Sequence, residues 1–221
     1  MDASGTIRQR TVAAVAEDLV RSLGDTVLRV AVDGVDGAGK TCFADELASV
    51  LEDRGVAVIR ASIDGFHHPR AVRYRRGRSS PEGFLQDSFD LAAFQRLLLD
   101  PLGPGGDRRY VTAVYDVHAE VPVEPDVRVA PTSAVLLVDG IFLHRDELCG
   151  CWDRSIYLDV EVAVAAARVA ERDGTDPDPA AARNRRYVEG QRRYHARCDP
   201  RRRASIVIDN TVLEEAAVVT P

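Results

Sequence analysis

This 221-residue sequence is almost without lysine: Lys40 stands alone against 28 arginines. That scarcity excludes the N-K-x-D guanine-reading segment of Ras-type GTPases, which needs a lysine of its own. The four cysteines, Cys42, Cys149, Cys151 and Cys198, form no C-x-x-C pair and no zinc spacing, which excludes a zinc finger and a thioredoxin-like motif. Cys149 and Cys151 are either a redox pair or half a metal site, or they are incidental thiols of a reducing compartment. No apolar run approaches bilayer-spanning length, and the first residues lack a signal peptide's basic-then-apolar layout. A cytoplasmic protein with no membrane partner is therefore expected. A formal net charge of -6 argues against a broad nucleic-acid surface, though a local basic patch stays open. No internal repeat and no low-complexity linker is present. The ordinary hydrophobic (45%) and charged (29%) contents then favour one domain over residues 1–221.

What the chain does have is a Gly-rich turn between an apolar run and an amphipathic helix pattern. Gly34, Gly39, Lys40 and Thr41 fit G-x-x-x-x-G-K-[ST], the phosphate loop (P-loop). Gly34, Gly37 and Gly39 let the backbone curl so that successive N–H groups face phosphate oxygens. The helix after them presents its positive end to the same anion. Asp36, Ala38 and Cys42 complete the expected ATP-binding stretch, with Lys40 reaching the β- and γ-phosphates and Thr41 ligating Mg²⁺. In a chain otherwise committed to arginine, an ammonium here fits a site that needs a compact point charge.

Along the rest of the chain, helical spacing predicts a helix over about 7–23, ended by Gly24, and another opening at Phe89-Asp90-Leu91. Short apolar runs predict strands over 27–32, 56–59, 134–138, 156–159 and 205–209. Residues 110–116 alternate like one strand, and 121–129 read as a hairpin or edge segment. A helix is expected over 161–172, a loop over 173–179, and a basic helix over about 180–195. Runs that are apolar throughout, alternating with helices, predict a three-layer α/β/α fold around a mainly parallel sheet of about five strands. A small helical lid is expected near 173–186 and an acceptor-side excursion near 108–130. Ligands of such sheets sit at the strands' carboxyl ends, where Asp33, Asp64, Asp139, Asp159 and Asp209 cluster. Some of these acids must cap turns or helices.

Motor and transporter signatures are missing, which leaves a small kinase as the default. Gly34–Thr41, Ile63-Asp64-Gly65-Phe66-His67, Val114-Tyr115-Asp116 and Leu137-Val138-Asp139-Gly140-Ile141-Phe142 resemble the uridine kinase and phosphoribulokinase branch of the P-loop kinases. Tyr187 to Gln191 and Ser205 to Asn210 resemble such a kinase's lid and final strand, so the similarity runs from about residue 28 to 210. The resemblance implies that Asp64 is the general base, with Lys40, Arg168 and Arg172 acting on the phosphates and Asp139 holding Mg²⁺ beside Thr41. It places Phe66, His67, Asp90, Tyr115, His118 and Gln191 around the acceptor. Tyr115 is equally readable as core, His67 and His68 as surface residues, and Arg183, Arg185 and Arg186 as a solvated helix face.

The chain departs from the resemblance between Arg70 and Asp90. The N-F-D-H-P-type segment whose aspartate holds ribose hydroxyls is not there; Glu82 to Asp90 stands in its place. Either Asp87 or Asp90 holds a ribose, or the acceptor is not a nucleoside. Arg70, Arg73, Arg75, Arg76 and Arg78 are either a solvated loop or contacts to an anionic acceptor. The expected activity is transfer of the γ-phosphoryl of ATP, with Mg²⁺, to a primary hydroxyl, foremost the 5′-hydroxyl of uridine or cytidine. A sugar, pantothenate or pentose phosphate acceptor, a polynucleotide kinase and a non-catalytic ATP-binding module are the alternatives. The expected partner is a nucleoside-like small molecule and not nucleic acid, and a homo-oligomer is left open.

Overall fold

The computed structural model describes residues 5–219. Helix α1 (Ile7–Ser22) begins at a capping box: the Thr6 hydroxyl accepts from Gln9 N–H, and the Gln9 side chain accepts from Thr6 N–H. It ends one residue earlier than Gly24 suggested, at an extended Leu23. Strand β1 (Val27–Gly34) is buried along its whole length, which is what an unbroken apolar run demands. Helix α2 (Lys40–Glu52) follows the P-loop, then β2 (Val58–Ser62) and a single 3-10 turn, Ile63–Phe66. The Arg-rich stretch contains a short helix, α3 (Arg70–Arg73), and leads to α4 (Pro81–Asp87). Helix α5 (Leu91–Phe94) runs on into a π-turn over Gln95–Leu99.

Residues 110–116 do not form one strand. They divide into β3 (Arg109–Tyr110) and β4 (Tyr115–Asp116), which pair antiparallel with β6 (Arg128–Val129) and β5 (Val121–Pro122) respectively. Between them, Val111 N–H donates to Leu97 O and Val114 N–H to Gly65 O, so the backbone is claimed by the α5 region and the turn after β2. The chain then returns as β7 (Ala134–Gly140), β8 (Arg154–Asp159), α6 (Val162–Asp173), α7 (Arg185–Cys198), α8 (Pro200–Arg203), β9 (Ile206–Asp209) and β10 (Ala217–Val219).

The main sheet has the order β10-β9-β8-β1-β7-β2. Five strands are parallel, and β10 is an antiparallel edge not foreseen from the sequence. Alternate residues of β1 serve opposite faces: Val30 and Val32 pack with Leu19, Phe43 and Leu47 under α1 and α2. Ala31 faces the other layer, with Phe66, Phe94 and Leu98. Helix α7 is seated on α4 at Gly190, where a Cβ would come within 2.7 Å of the Phe84 ring. No helix among the described residues is long and apolar enough to cross a membrane.

Candidate functional site: a phosphate loop facing an acid-lined cleft

The loop after β1 turns through Gly37 (φ 80°) and Gly39 (φ 83°), conformations that tax any side chain. Space forbids one as well: a Cβ on Gly37 would sit 2.3 Å from Ala165 O of α6. Ala38 is fully buried and accepts at its carbonyl from Asn210 Nδ2 (2.7 Å). The Asn210 amide oxygen in turn accepts from Arg8 (2.9 Å), so the end of β9 and α1 brace the loop. From α7, Gln191 Oε1 accepts from the Asp36 N–H at 2.9 Å. Gln191 therefore grips the loop rather than facing the acceptor region.

Lys40 folds its ammonium onto Val35 O (2.8 Å). Burial pushes its pKa down, while Asp36, Asp33, Asp64 and Asp139 pull the other way. The Thr41 hydroxyl donates to Asp139 Oδ2 at 2.8 Å, and Arg60 of β2 donates to Asp139 Oδ1 at 3.0 Å. A hydroxyl paired with a carboxylate at the first turn of the helix is a hard oxygen donor set suited to Mg²⁺. Among the described residues no group of three or more His, Cys, Asp or Glu could hold a metal, so phosphate oxygens and water would have to complete its shell. Thr41, Arg60, Ser62, Gly65, Thr112 and Asp139 line a cavity of about 350 Å³.

Asp64 stands on the 3-10 turn at the end of β2. Its N–H donates to Ser62 Oγ (3.3 Å), and its side chain is 65% exposed toward the open cleft. Loss of solvent to the surrounding walls raises its pKa. His67 and Lys40 oppose that rise, and Asp139 and Asp36 add to it. His67 has Nδ1 2.9 Å from Asp64 O, with its ring 4.5 Å from that of Phe89.

Several expected contacts have other occupations. Phe66 is a core residue, fully buried edge-on to Phe94 at 5.1 Å, and has no face left for an acceptor. Asp90 is the N-cap of α5, its carboxylate accepting from Ala93 N–H (2.9 Å). Tyr115 is buried and donates its hydroxyl to Glu120 (3.0 Å). His118 lies in a turn held by Asp116, which accepts from the His118 N–H (2.8 Å). Arg168 donates to Asn210 O (3.1 Å) and Thr211 O (2.7 Å). Arg172 pairs with Asp173 (2.7 Å) and reaches Asp36 at 3.4 Å. The Cys42 side chain is exposed on the first turn of α2. Of the five strand-end acids, Asp159 pairs with Arg201 and Asp209 caps Thr211 N–H.

Asp33 has a role that its place in the sequence did not disclose. It is wholly buried at the root of the loop, where Oδ1 accepts from Gly34 N–H (2.7 Å). Oδ2 accepts from His144 N–H (3.1 Å) and from the Tyr194 hydroxyl (2.5 Å), and His144 Nδ1 lies 2.8 Å away. Burial alone would push its pKa up; His144, Tyr194 and Gly34 outweigh burial and hold it below the ordinary carboxylate range. The only hint in the sequence was an acid ending a fully apolar strand.

No protein-family model matches the chain. A Schizosaccharomyces pombe protein with a provisional uridine kinase name is 28% identical over 162 residues, 65% of each chain. Uridine-cytidine kinase B of Dictyostelium discoideum is 25% identical over 144 residues, 65% of this chain and 57% of that one. This chain thus spans less than two thirds of the length of both. Among solved structures, one described as a possible uridine kinase from Bacillus stearothermophilus aligns with a TM-score of 0.71 at 19% identity, covering 89% of this chain and 96% of the other. The fold is like that of this structure and of a phosphoribulokinase from Rhodobacter spheroides, which aligns with a TM-score of 0.58 at 18% identity over 84% of this chain and 71% of that one. A provisionally named fructose transport system kinase from Silicibacter sp. TM1040 aligns almost equally well, with a TM-score of 0.70 at 27% identity over 85% of this chain and 95% of that one. The names of these relatives mention different small molecules, uridine and cytidine in one and fructose in another.

Proposed function

We propose that this protein is a P-loop kinase, an Mg·ATP-dependent phosphotransferase that moves the γ-phosphoryl group to a hydroxyl of a small molecule, with Asp64 as the base. The observation that carries this reading is the Asp64 carboxylate on the 3-10 turn that ends β2, where Ser62 stands in register with Asp139, itself paired with the Thr41 hydroxyl of the loop helix. Phosphoryl transfer asks little more than alignment, charge neutralisation and one acceptor for the hydroxyl proton. The loop N–H groups and Lys40 would hold the phosphates, and Asp64 would take the proton as the acceptor oxygen attacks. Thr41 and Asp139 would hold Mg²⁺, which supplies charge neutralisation across the β- and γ-phosphates when bound. Arg172, on α6 beside Asp36, and Arg168 would supply positive charge from the lid side, and the loop over 174–184 would be the segment that closes to exclude water.

The 5′-hydroxyl of uridine or cytidine, the acceptor that the resemblance names, would need an acid for the ribose diol. Asp90 is spent on a helix cap, and Asp87 is fully buried against Arg75 and Arg76. The reading therefore stops at the hydroxyl class. ADP release from Mg·ATP, measured against neutral and anionic hydroxyl compounds, tests it. Stimulation by an acceptor, lost in Asp64→Asn and Lys40→Ala, is the expected result. ATP binding without stimulation by any acceptor would leave a nucleotide-binding module in its place.

A further inference from the structure

The surroundings of Tyr74 narrow the acceptor. The guanidinium carbons of Arg70, Arg73, Arg78 and Arg186 stand 5.8, 5.6, 5.7 and 4.9 Å from the centre of its ring. Three come from α3 and the loop after it, the fourth from the first turn of α7. Four like charges around one phenol repel each other, and the ring quadrupole offsets only part of that. The acids within reach are few. Arg73 pairs with Glu120, which also receives the Tyr115 hydroxyl. Arg186 is buried and donates to carbonyls, including Ser80 O (3.2 Å) and Arg73 O (3.2 Å), which satisfy hydrogen bonds but bring no charge. Arg70 and Arg78 are exposed and have no hydrogen-bond or ion-pair partner among the described residues. The Arg73 Nε–H is buried without an acceptor.

A solvated helix face would spread such charges and leave them wet; here two guanidiniums are packed inward instead. The cluster also adjoins the reacting end of the cleft. Helix α3 starts three residues after His67, and the Arg73 charge is close enough to contribute to holding the His67 pKa down, after burial. The β4 ribbon that supplies Glu120 is bonded to the turn carrying Asp64, through Val114 N–H to Gly65 O (2.8 Å). The second observation is independent of the cluster. Asp87 and Asp90, the acids available for a neutral ribose, are both committed, and Asp87 is held ionised, below the ordinary carboxylate range, by Arg75 and Arg76 against the cost of its burial.

We infer that the phosphoryl acceptor is itself an anion, a small hydroxy compound whose own phosphate or carboxylate is gripped by Arg70, Arg73 and Arg78 while its free hydroxyl lies at Asp64. Guanidinium forks match both groups bidentately. The inference rests on the kinase reading for the site's purpose. Its charge preference can be measured without turnover.

The test is calorimetric titration of the full chain, with Mg²⁺ and a non-hydrolysable ATP analogue, using ribulose 5-phosphate, glycerate and pantothenate against uridine, cytidine and fructose. At least one anion should bind roughly tenfold or more tightly than any neutral compound, as charge-assisted bonds require. That advantage should shrink with added salt. Arg70→Ala with Arg78→Ala should erase it while moving the neutral compounds little, and the double lysine variant should fall between. Which anion wins, phosphate or carboxylate, identifies the group. Tightest binding by uridine, cytidine or fructose, no binding by any anion, or no effect of the double variant would each overturn the inference. So would binding of a single-stranded oligonucleotide that small anions do not displace, which would point to a polynucleotide acceptor. Anion binding without acceptor-stimulated ADP release would instead sink the kinase reading and leave the anion site standing.

Discussion

The two sides of the cleft are built on different principles. On the donor side the recognising groups are backbone N–H groups, and every brace is short and specific: Asn210 on Ala38 O, Gln191 on Asp36 N–H, and four contacts on Asp33. On the acceptor side they are long side chains, crowded around Tyr74 with more positive charge than the neighbouring acids answer. The donor side is finished as a structure before any ligand arrives. On our proposal the acceptor side is electrostatically complete only with an anion in it.

The largest effect should come where the two sides meet. Asp64→Asn is expected to lower kcat by about 10²–10⁴-fold, as removal of a positioned base does. With Asp64 as the base, kcat/KM of the parent protein should rise with pH through an apparent pKa above the ordinary aspartate range, the direction that partial loss of solvent imposes. A profile titrating at or below that range would remove Asp64 as the base.

Next is the donor side's dependence on backbone. Gly37→Ala adds a methyl where Ala165 O stands 2.3 Å away, at a φ of 80°. We expect loss of ATP binding in equilibrium titrations, with the fold retained by circular dichroism. Unchanged ATP affinity would mean that the loop is not held as described.

Asp33→Asn keeps the shape and removes the charge. A cost of about 2–4 kcal/mol in denaturant unfolding follows from leaving buried donors poorly matched. The sign with pH is set by the depressed pKa: the stabilisation is full above the unfolded value and is lost as pH falls through the lower folded value. The variant should therefore close the gap with the parent in acid, and a gap that widens there would contradict the network.

The smallest effect tests the acceptor side from the negative direction. Asp90→Ala should cost about 1 kcal/mol as a lost N-cap and leave the acceptor KM within about twofold. A tenfold rise in KM for uridine would restore Asp90 to the ribose and the nucleoside reading with it.

The same contrast explains what could be read from the residues alone. The parallel sheet and the loop are dictated by short-range requirements: unbroken apolar runs, glycines at positive φ, and a lone ammonium where a compact charge is needed. The acceptor side follows from no such local rule. Phe66 and His67 are adjacent in sequence, yet one fills the core and the other stays partly exposed with its ring nitrogen at Asp64 O, because the 3-10 turn ends between them. Asp90 looked like a binding acid and serves as a cap, a role invisible until the helix start is known. Strand β10 was missed because a run of three residues, Ala217 to Val219, is too short to mark a strand until β9 offers it an edge. The division of 110–116 depended on partners at Leu97 and Gly65, far away in the chain.

The solitary lysine has a consequence outside catalysis. Lys40 is the chain's one ε-amine, and it sits in the phosphate loop with its ammonium on Val35 O. A mild amine-directed acylating reagent would therefore find one side chain to modify. The mass added there, with and without nucleotide, would count occupied donor sites directly in a mixed population of molecules.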